Sequence, residues 1–472
     1  MKTLIAVCAA AVSLLSQQAP DRSKAPAIGP PPALHLPPIE RRTLSNGLPV
    51  WVLGVHKVPT VHLELTVRAG MADDPPGKFG LASLTADMLD EGAGSRNALE
   101  IADAIDFLGA ELSTSGANDA SYVDLHVPTA RLADALPILA DVVTRPTFPE
   151  AELKRLREER LASLLEAEDD PEQLVTFAFP RVVFGARHRY GTPAIGTAAA
   201  LKGMTVADLK AFHDAQYRPS NAALIVTGDV TPDSIVPQLE KALGGWKGVK
   251  TSGTVPGLPA QLTQRRVSLV DKPGAAQSQI RIGWVGVPRS TPDYFAVRVL
   301  NTMLGEAFTS RLNMNLREVH GYAYGAGSRF DMRLGAGPFY AAAGVQTDKT
   351  AEALKEFFVE LDRIHQPAGA DELAKAKNYL ALQLPRSFET TRSAAGALSQ
   401  MFVYNLAPDY YETYARRVAA VTAEDVKRAA DKYIQPDKFA VVIVGDRKAI
   451  EPAVRALNLG PLAVIEPTEI FK

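Results

Sequence analysis

Cysteine is almost absent: Cys8 is the single one in 472 residues. It sits in the leader-like first segment, so neither a disulfide framework nor a thiolate metal site is open to the rest of the chain. Histidine is sparse as well. The eight are His35, His56, His62, His126, His188, His213, His320 and His365, and no two lie three or four positions apart, which excludes the two-ligand helix face of a zinc hydrolase. There is no Gly-x-Ser-x-Gly elbow, and the only Gly-Lys doublet, Gly77-Lys78, is followed by Phe79, not by the Ser or Thr of a phosphate loop. Excess charge is lacking too: 51 basic against 53 acidic residues leave −2, which removes the footprint of a nucleic-acid partner. The apolar stretch Leu4 to Leu15 is too short to span a bilayer, so no stable membrane span is expected.

What is present is the balance of a globular protein, 46% hydrophobic and 22% charged, with length for two large domains or three ordinary ones. Met1 and Lys2, the apolar stretch and the small residues after it form the pattern of a secretory signal over residues 1–18. A lipoprotein reading would use Cys8, but Val7 is a poor residue before a lipidated cysteine and the apolar run before it is short. A Pro-rich segment, 19–39, follows. Export to the periplasm suits a mature chain that is neutral and free of cysteine.

Two segments agree at a constant offset. Thr205, Asp208, Pro219, Gly228 and Asp229 fall on Thr422, Asp425, Pro436, Gly445 and Asp446. In each, a Thr caps a helix (Val206–Ala215; Ala423–Tyr433), a Pro-containing turn follows, and a buried strand closes the unit (Ala222–Val226; Phe439–Val444). Upstream, strand Val61–Val67 and helix Gly80–Leu89 rhyme with strand Gln279–Val285 and helix Tyr294–Leu304. The expected architecture is α+β: two duplicated lobes, 40–246 and 264–472, with mixed or antiparallel sheets and helices layered on one face, joined by a Gly/Pro/Ser/Thr-rich linker, 247–263. Helix Ala151–Glu168 carries Glu152, Lys154, Arg155, Arg157, Glu158, Glu159 and Arg160, and reads as a solvated face with ion pairs one turn apart. His62 and His126 alternate within apolar strand patterns and read as satisfied strand residues; His188, His213 and His320 have no evident partner.

The run Val67–Gly92 resembles the first active-site helix of the insulinase/pitrilysin family of metallopeptidases. The resemblance continues through Leu108–Leu112, Tyr190–Thr197 and Tyr217–Asn221 to Thr227–Asp229. It implies a fold in which duplicated αβ lobes form half of a clam-like chamber. It also implies a His-x-x-Glu-His zinc motif at 83–87, but those positions read Ser83-Leu84-Thr85-Ala86-Asp87. Ser83, Ala86 and Asp87 replace both imidazoles and the general base. The third ligand of the family, a glutamate, should fall near 161–165, which reads Leu-Ala-Ser-Leu-Leu. The resemblance therefore implies no catalytic residue and no metal in this chain. Ser310–Gly325 is similar to the family segment whose arginine and tyrosine, seven residues apart, face the substrate chamber. Here the pair is Arg317 and Tyr324, with Tyr322 as the rival phenol and an Arg317–Glu318 ion pair as the alternative use of the guanidinium. Glu111–Ala117 resembles the edge strand onto which a peptide adds.

The function expected from these residues is that of a non-catalytic periplasmic subunit. It would pair as a heterodimer with a homologous chain that has an intact His-x-x-Glu-His motif and holds the zinc, and it would lend Arg317 and Tyr324 to hydrolysis of peptide substrates. The alternatives are a scaffold or peptide-binding protein without hydrolysis, and an enzyme with a different site around Asp87 and His126.

Overall fold

A computed structural model describes residues 36–249, 255–259 and 261–471. The signal-peptide segment 1–18, Cys8, most of the Pro-rich segment and linker residues 250–254 and 260 lie outside the described residues.

The strands are β1 (Glu40–Thr43), β2 (Pro49–Gly54), β3 (Thr60–Val67), β4 (Glu111–Gly116), β5 (Ser121–Pro128), β6 (Ala222–Gly228), β7 (Arg266–Asp271), β8 (Gln277–Val285), β9 (Ala323–Phe330), β10 (Pro338–Gln346), β11 (Ala440–Gly445) and β12 (Leu462–Ile465). They build two mixed six-stranded sheets. The first runs β1-β2-β6-β3-β5-β4 and the second β9-β10-β8-β11-β7-β12. In the first, only β2 and β6 run parallel; in the second, β7 runs parallel to both neighbours. Pro49, Thr60 and Ser121, which open β2, β3 and β5, each stand one repeat length before Arg266, Gln277 and Pro338, which open β7, β8 and β10. The duplication read from the sequence is thus carried through five of the six strand positions. The sixth is filled by the first strand of one half and the last of the other.

The helices used below are α1 (Leu81–Asp87), α2 (Glu150–Asp169), α3 (Pro171–Phe184), α4 (Val206–Gln216), α5 (Tyr294–Asn301), α6 (Thr391–Val403) and α7 (Ala423–Tyr433). Helices α4 and α7 begin alike. Thr205 and Thr422 accept from the backbone N–H of Asp208 and Asp425, whose carboxylates bond back to the threonine N–H, a reciprocal cap at each copy. Strands β6 and β11 are buried along their whole length, which explains their unbroken Ala/Val/Ile/Leu runs.

Each sheet lays one face on helices of its own half, and the other face takes a helix that crosses from the opposite half. Helix α3 lies on β8 and β11; α6 lies on β3 and β6. The crossing is fixed by polar contacts as well as by apolar ones. Arg281 donates to Thr176 Oγ1 at 2.7 Å, Thr227 donates to the Thr391 carbonyl at 2.8 Å, and Trp51 meets Phe402 edge-on at 6.3 Å. Accordingly Trp51, Leu53 and Ile225 of the first half belong to the core of the second, and Val270, Val442 and Val444 to the core of the first. Buried Asp119 adds a clasp, accepting from Tyr190 and Tyr404 hydroxyls at 3.1 and 3.2 Å and from the Leu334 N–H at 2.8 Å.

Candidate functional site

Helix α1 carries the degenerate motif and is only seven residues long. Its start is held by buried Asp74, whose two oxygens accept from the N–H of Gly80 and of Ala82, each at 2.7 Å. Burial pushes this carboxyl from 3.8 up to about 7. Gly80 enters the helix at φ +96°, and a Cβ there would stand 2.5 Å from the Gly196 Cα. The segment Tyr190–Thr197 therefore packs backbone to backbone against the motif helix. Replacing Gly80 with Ala combines a left-handed conformation, about 1–2 kcal/mol for an L residue, with that overlap. Gly80→Ala is expected to lower unfolding stability by more than about 1–2 kcal/mol in urea titration.

On the face that would hold a metal, the structure places an arginine. Arg160 of α2 is 7% exposed. Its guanidinium donates to Asp87 Oδ2 at 2.5 Å and to Ser83 Oγ at 3.0 Å, and to the carbonyls of Ile195 and Gly80 at 3.2 and 3.4 Å. Ser83 in turn donates to the Ala194 carbonyl at 2.6 Å. The reading of Arg160 as part of a solvated face is corrected here: it points inward, whereas Lys154–Glu158 and Arg155–Glu159 do form surface pairs one turn apart. Positions 83 and 87 stand one turn apart on α1, so the residue reached from both is the one opposite them on α2. That residue is Arg160, immediately before the stretch 161–165. A hydroxyl, a methyl and one carboxylate already bound to a fixed cation do not fit zinc, which takes imidazole, thiolate and carboxylate around an open position. A positive charge of the chain's own stands where the dication would be.

In the second half, a π-helical turn, Met314–Val319, carries Arg317, a geometry that recurs at functional sites. The Arg317 guanidinium carbon lies 5.1 Å from the ring centre of Tyr324 and 4.8 Å from that of Phe308, and Nε is 3.1 Å from Glu318. Arg317 and Tyr324 are thus neighbours, and the Glu318 ion pair coexists with the stack. Tyr324, on the edge strand β9, is 87% exposed. Tyr322 instead stacks on His320 at 5.0 Å and packs against the core. The edge strand Glu111–Gly116 also takes the expected place, as β4 at the rim of the first sheet. It bonds to β5 on one side, and its Gly116 lies under Ser83 of the motif helix.

Asp87 and His126 are not brought together. Alternation along β4 and β5 puts Thr114 and Gly116 toward α1, and sends His126, paired with Glu111, to the opposite face of the sheet. An active centre built on Asp87 and His126 therefore has no geometry. Among the described residues the other histidines do have partners. His188 reaches the Gly257 carbonyl at 2.7 Å and stacks on Phe184; buried His213 reaches the Val143 carbonyl at 2.9 Å and stacks on Tyr217; His320 lies 3.6 Å from Glu356. His62 is buried, with Nε2 3.1 Å from Asp124 Oδ1 and Nδ1 without a partner.

Two family models match the chain: the insulinase model (peptidase family M16) over residues 52–192 and the peptidase M16 inactive domain over residues 203–380. An uncharacterized zinc protease of Mycobacterium bovis is 26% identical over 438 residues, 90% of this chain and 98% of the relative. Among solved structures, a peptidase M16 inactive domain from Pseudomonas fluorescens superposes with a TM-score of 0.80 at 26% identity, covering 86% of this chain and 98% of that one. The first half of the periplasmic protease PqqL from Escherichia coli has the same fold, with a TM-score of 0.71 at 16% identity over 92% of this chain and 100% of that one. No helix among the described residues is long and apolar enough to cross a membrane. With a guanidinium in place of a metal on the motif helix and both halves matched by models of one family, the chain belongs to the insulinase family of peptidases and resembles its inactive-type members.

Proposed function

We propose that this chain is the non-catalytic subunit of a periplasmic zinc peptidase, paired with a homologous chain that carries an intact His-x-x-Glu-His motif, holds the zinc and cleaves peptides. The observation that carries the reading is the contrast between the two halves. Arg160 closes the motif face of the first, while in the second the half-buried Arg317 stands beside the exposed Tyr324. A guanidinium and a phenol are donors suited to a peptide carbonyl or to the oxyanion that forms on it. They need a metal-bound water from elsewhere to be of use in hydrolysis, and a facing chain of the same fold supplies it. The rim strand β4 supports the same reading, since an extended peptide adds to such an edge through main-chain hydrogen bonds.

The test is peptidase activity and zinc content of this chain alone and of the chain co-expressed with a motif-bearing homologue from the same genome. Chelator-sensitive activity confined to the pair is expected, with one more equivalent of zinc in the pair than in this chain alone. Chelator-sensitive activity from this chain alone would overturn the proposal. A stable pair that does not hydrolyse peptides would leave the edge strand as the functional feature and favour a peptide-binding scaffold.

A further inference from the structure

Strands β3 and β5 carry His62-Leu63-Glu64 and Asp124-Leu125-His126. Their antiparallel register sets His62 opposite His126 and Glu64 opposite Asp124. The two leucines point into the core, so all four polar side chains share one face, the face away from Arg160. One ligand atom from each of His62, Glu64 and Asp124 lies within 4.8 Å of the others. His62 Nε2 and Asp124 Oδ1 are 3.1 Å apart, near the roughly 3.3 Å edge of a tetrahedron with metal–ligand bonds of about 2.0–2.1 Å. His126 lies next to this group, its ring centre 6.0 Å from that of His62.

Asp87 and Asp141 each have a fixed cation, Arg160 and Arg145. Among the described residues neither Glu64 nor Asp124 pairs with a lysine or arginine. Glu64 is buried and accepts from the hydroxyls of Thr66, at 3.2 Å, and Ser399 of the crossing helix α6. His62 Nε2 turns toward Asp124, and with two carboxylates and no lysine or arginine the array is short of positive charge.

We propose that His62, Glu64, Asp124 and His126 bind one divalent first-row transition metal ion, with two imidazoles and two carboxylates as ligands. That donor set suits zinc, iron or manganese. The ion would tie β3 to β5 within the first half, beside the point where α6 of the second half crosses the first sheet and Ser399 bonds to Glu64. Its place does not depend on the peptidase reading.

The test uses the full chain, stripped with chelator and titrated with cobalt(II) near neutral pH, followed by zinc competition. One equivalent of cobalt with visible d–d absorption, displaced by zinc, is expected. Glu64→Gln and Asp124→Asn should each weaken cobalt binding by at least the roughly 10–100-fold that loss of a supporting group costs a metal site. Glu451→Gln, on a distant surface helix, should leave it unchanged. Asp124→Asn is the safer variant, since Asp124 is only half-buried and circular dichroism can confirm its fold. Failure to take up cobalt, or uptake by both carboxamide variants at wild-type affinity, would overturn the proposal and leave the array as a proton-sharing network.

Discussion

A chain carrying Ser83→His, Ala86→Glu and Asp87→His is expected to take up no more zinc than the unsubstituted chain, and the same chain with Arg160→Glu added is expected to take up one further equivalent. The first three changes restore the sequence motif. They leave a buried guanidinium within hydrogen-bonding distance of positions 83 and 87. Two unit charges about 4 Å apart repel by roughly 4 kcal/mol at an effective dielectric of about 20, and a dication doubles this to about 8 kcal/mol, between five and six decades in affinity. Space argues the same way. Ser83 already lies against Gly116 of the edge strand, so an imidazole at 83 must turn into the volume that Arg160 fills. Arg160→Glu removes the charge, frees the volume and offers the third carboxylate from the helix that faces the motif. Zinc content after dialysis, read by elemental analysis, separates the cases. An added equivalent in the triple variant would show that Arg160 swings aside and is no substitute for the metal.

The second large effect concerns the opposite half. In the active pair, Arg317→Ala and Tyr324→Phe should each lower kcat/KM by about 100–1000-fold, the range seen when one donor to a developing oxyanion is removed. Binding of the two chains should not change, because Tyr324 is almost wholly exposed and Arg317 makes only a surface ion pair and ring contacts. Tyr322→Phe serves as the control, since that ring stacks on His320 and packs on the core. Size-exclusion chromatography checks assembly while initial rates are measured on a quenched-fluorescence peptide. Equal activity in all three variants would remove Arg317 and Tyr324 from the chemistry.

Periodicity and caps made most of the architecture legible. Thr205 and Thr422 announce two helices at the same phase, and buried strands follow at the same distance. The exchange of α3 and α6 was not legible. An amphipathic helix shows that it has an apolar face but not which sheet receives it, and α6 is as apolar toward the other half as it would be toward its own. At the candidate site, the loss of the motif could be read directly from Ser83, Ala86 and Asp87. Arg160 was hidden among the six other charged residues of that run on α2, because composition does not tell the one inward position from the outward ones. A count of turns would have found it: Arg160 sits with buried Leu153, Leu164 and Ala167 along one stripe of α2. The His62 and Asp124 array was similarly masked, since the signal is a cross-strand pairing that appears only once the register of β3 and β5 is known.

The crossed helices also bear on how such a chamber opens. If the halves were merely tethered by the linker, this chain could flex at its waist to admit a substrate. With each half thrusting a helix through the other's back, flexing would strip α3 from β8 and β11 and α6 from β3 and β6, and would bare both sheets at once. The crossing packs the two halves into one unit with shared cores. In the proposed pair, jaw movement would then belong to the seam between the two chains, and the gap that admits a peptide would be set by how firmly the partners hold each other.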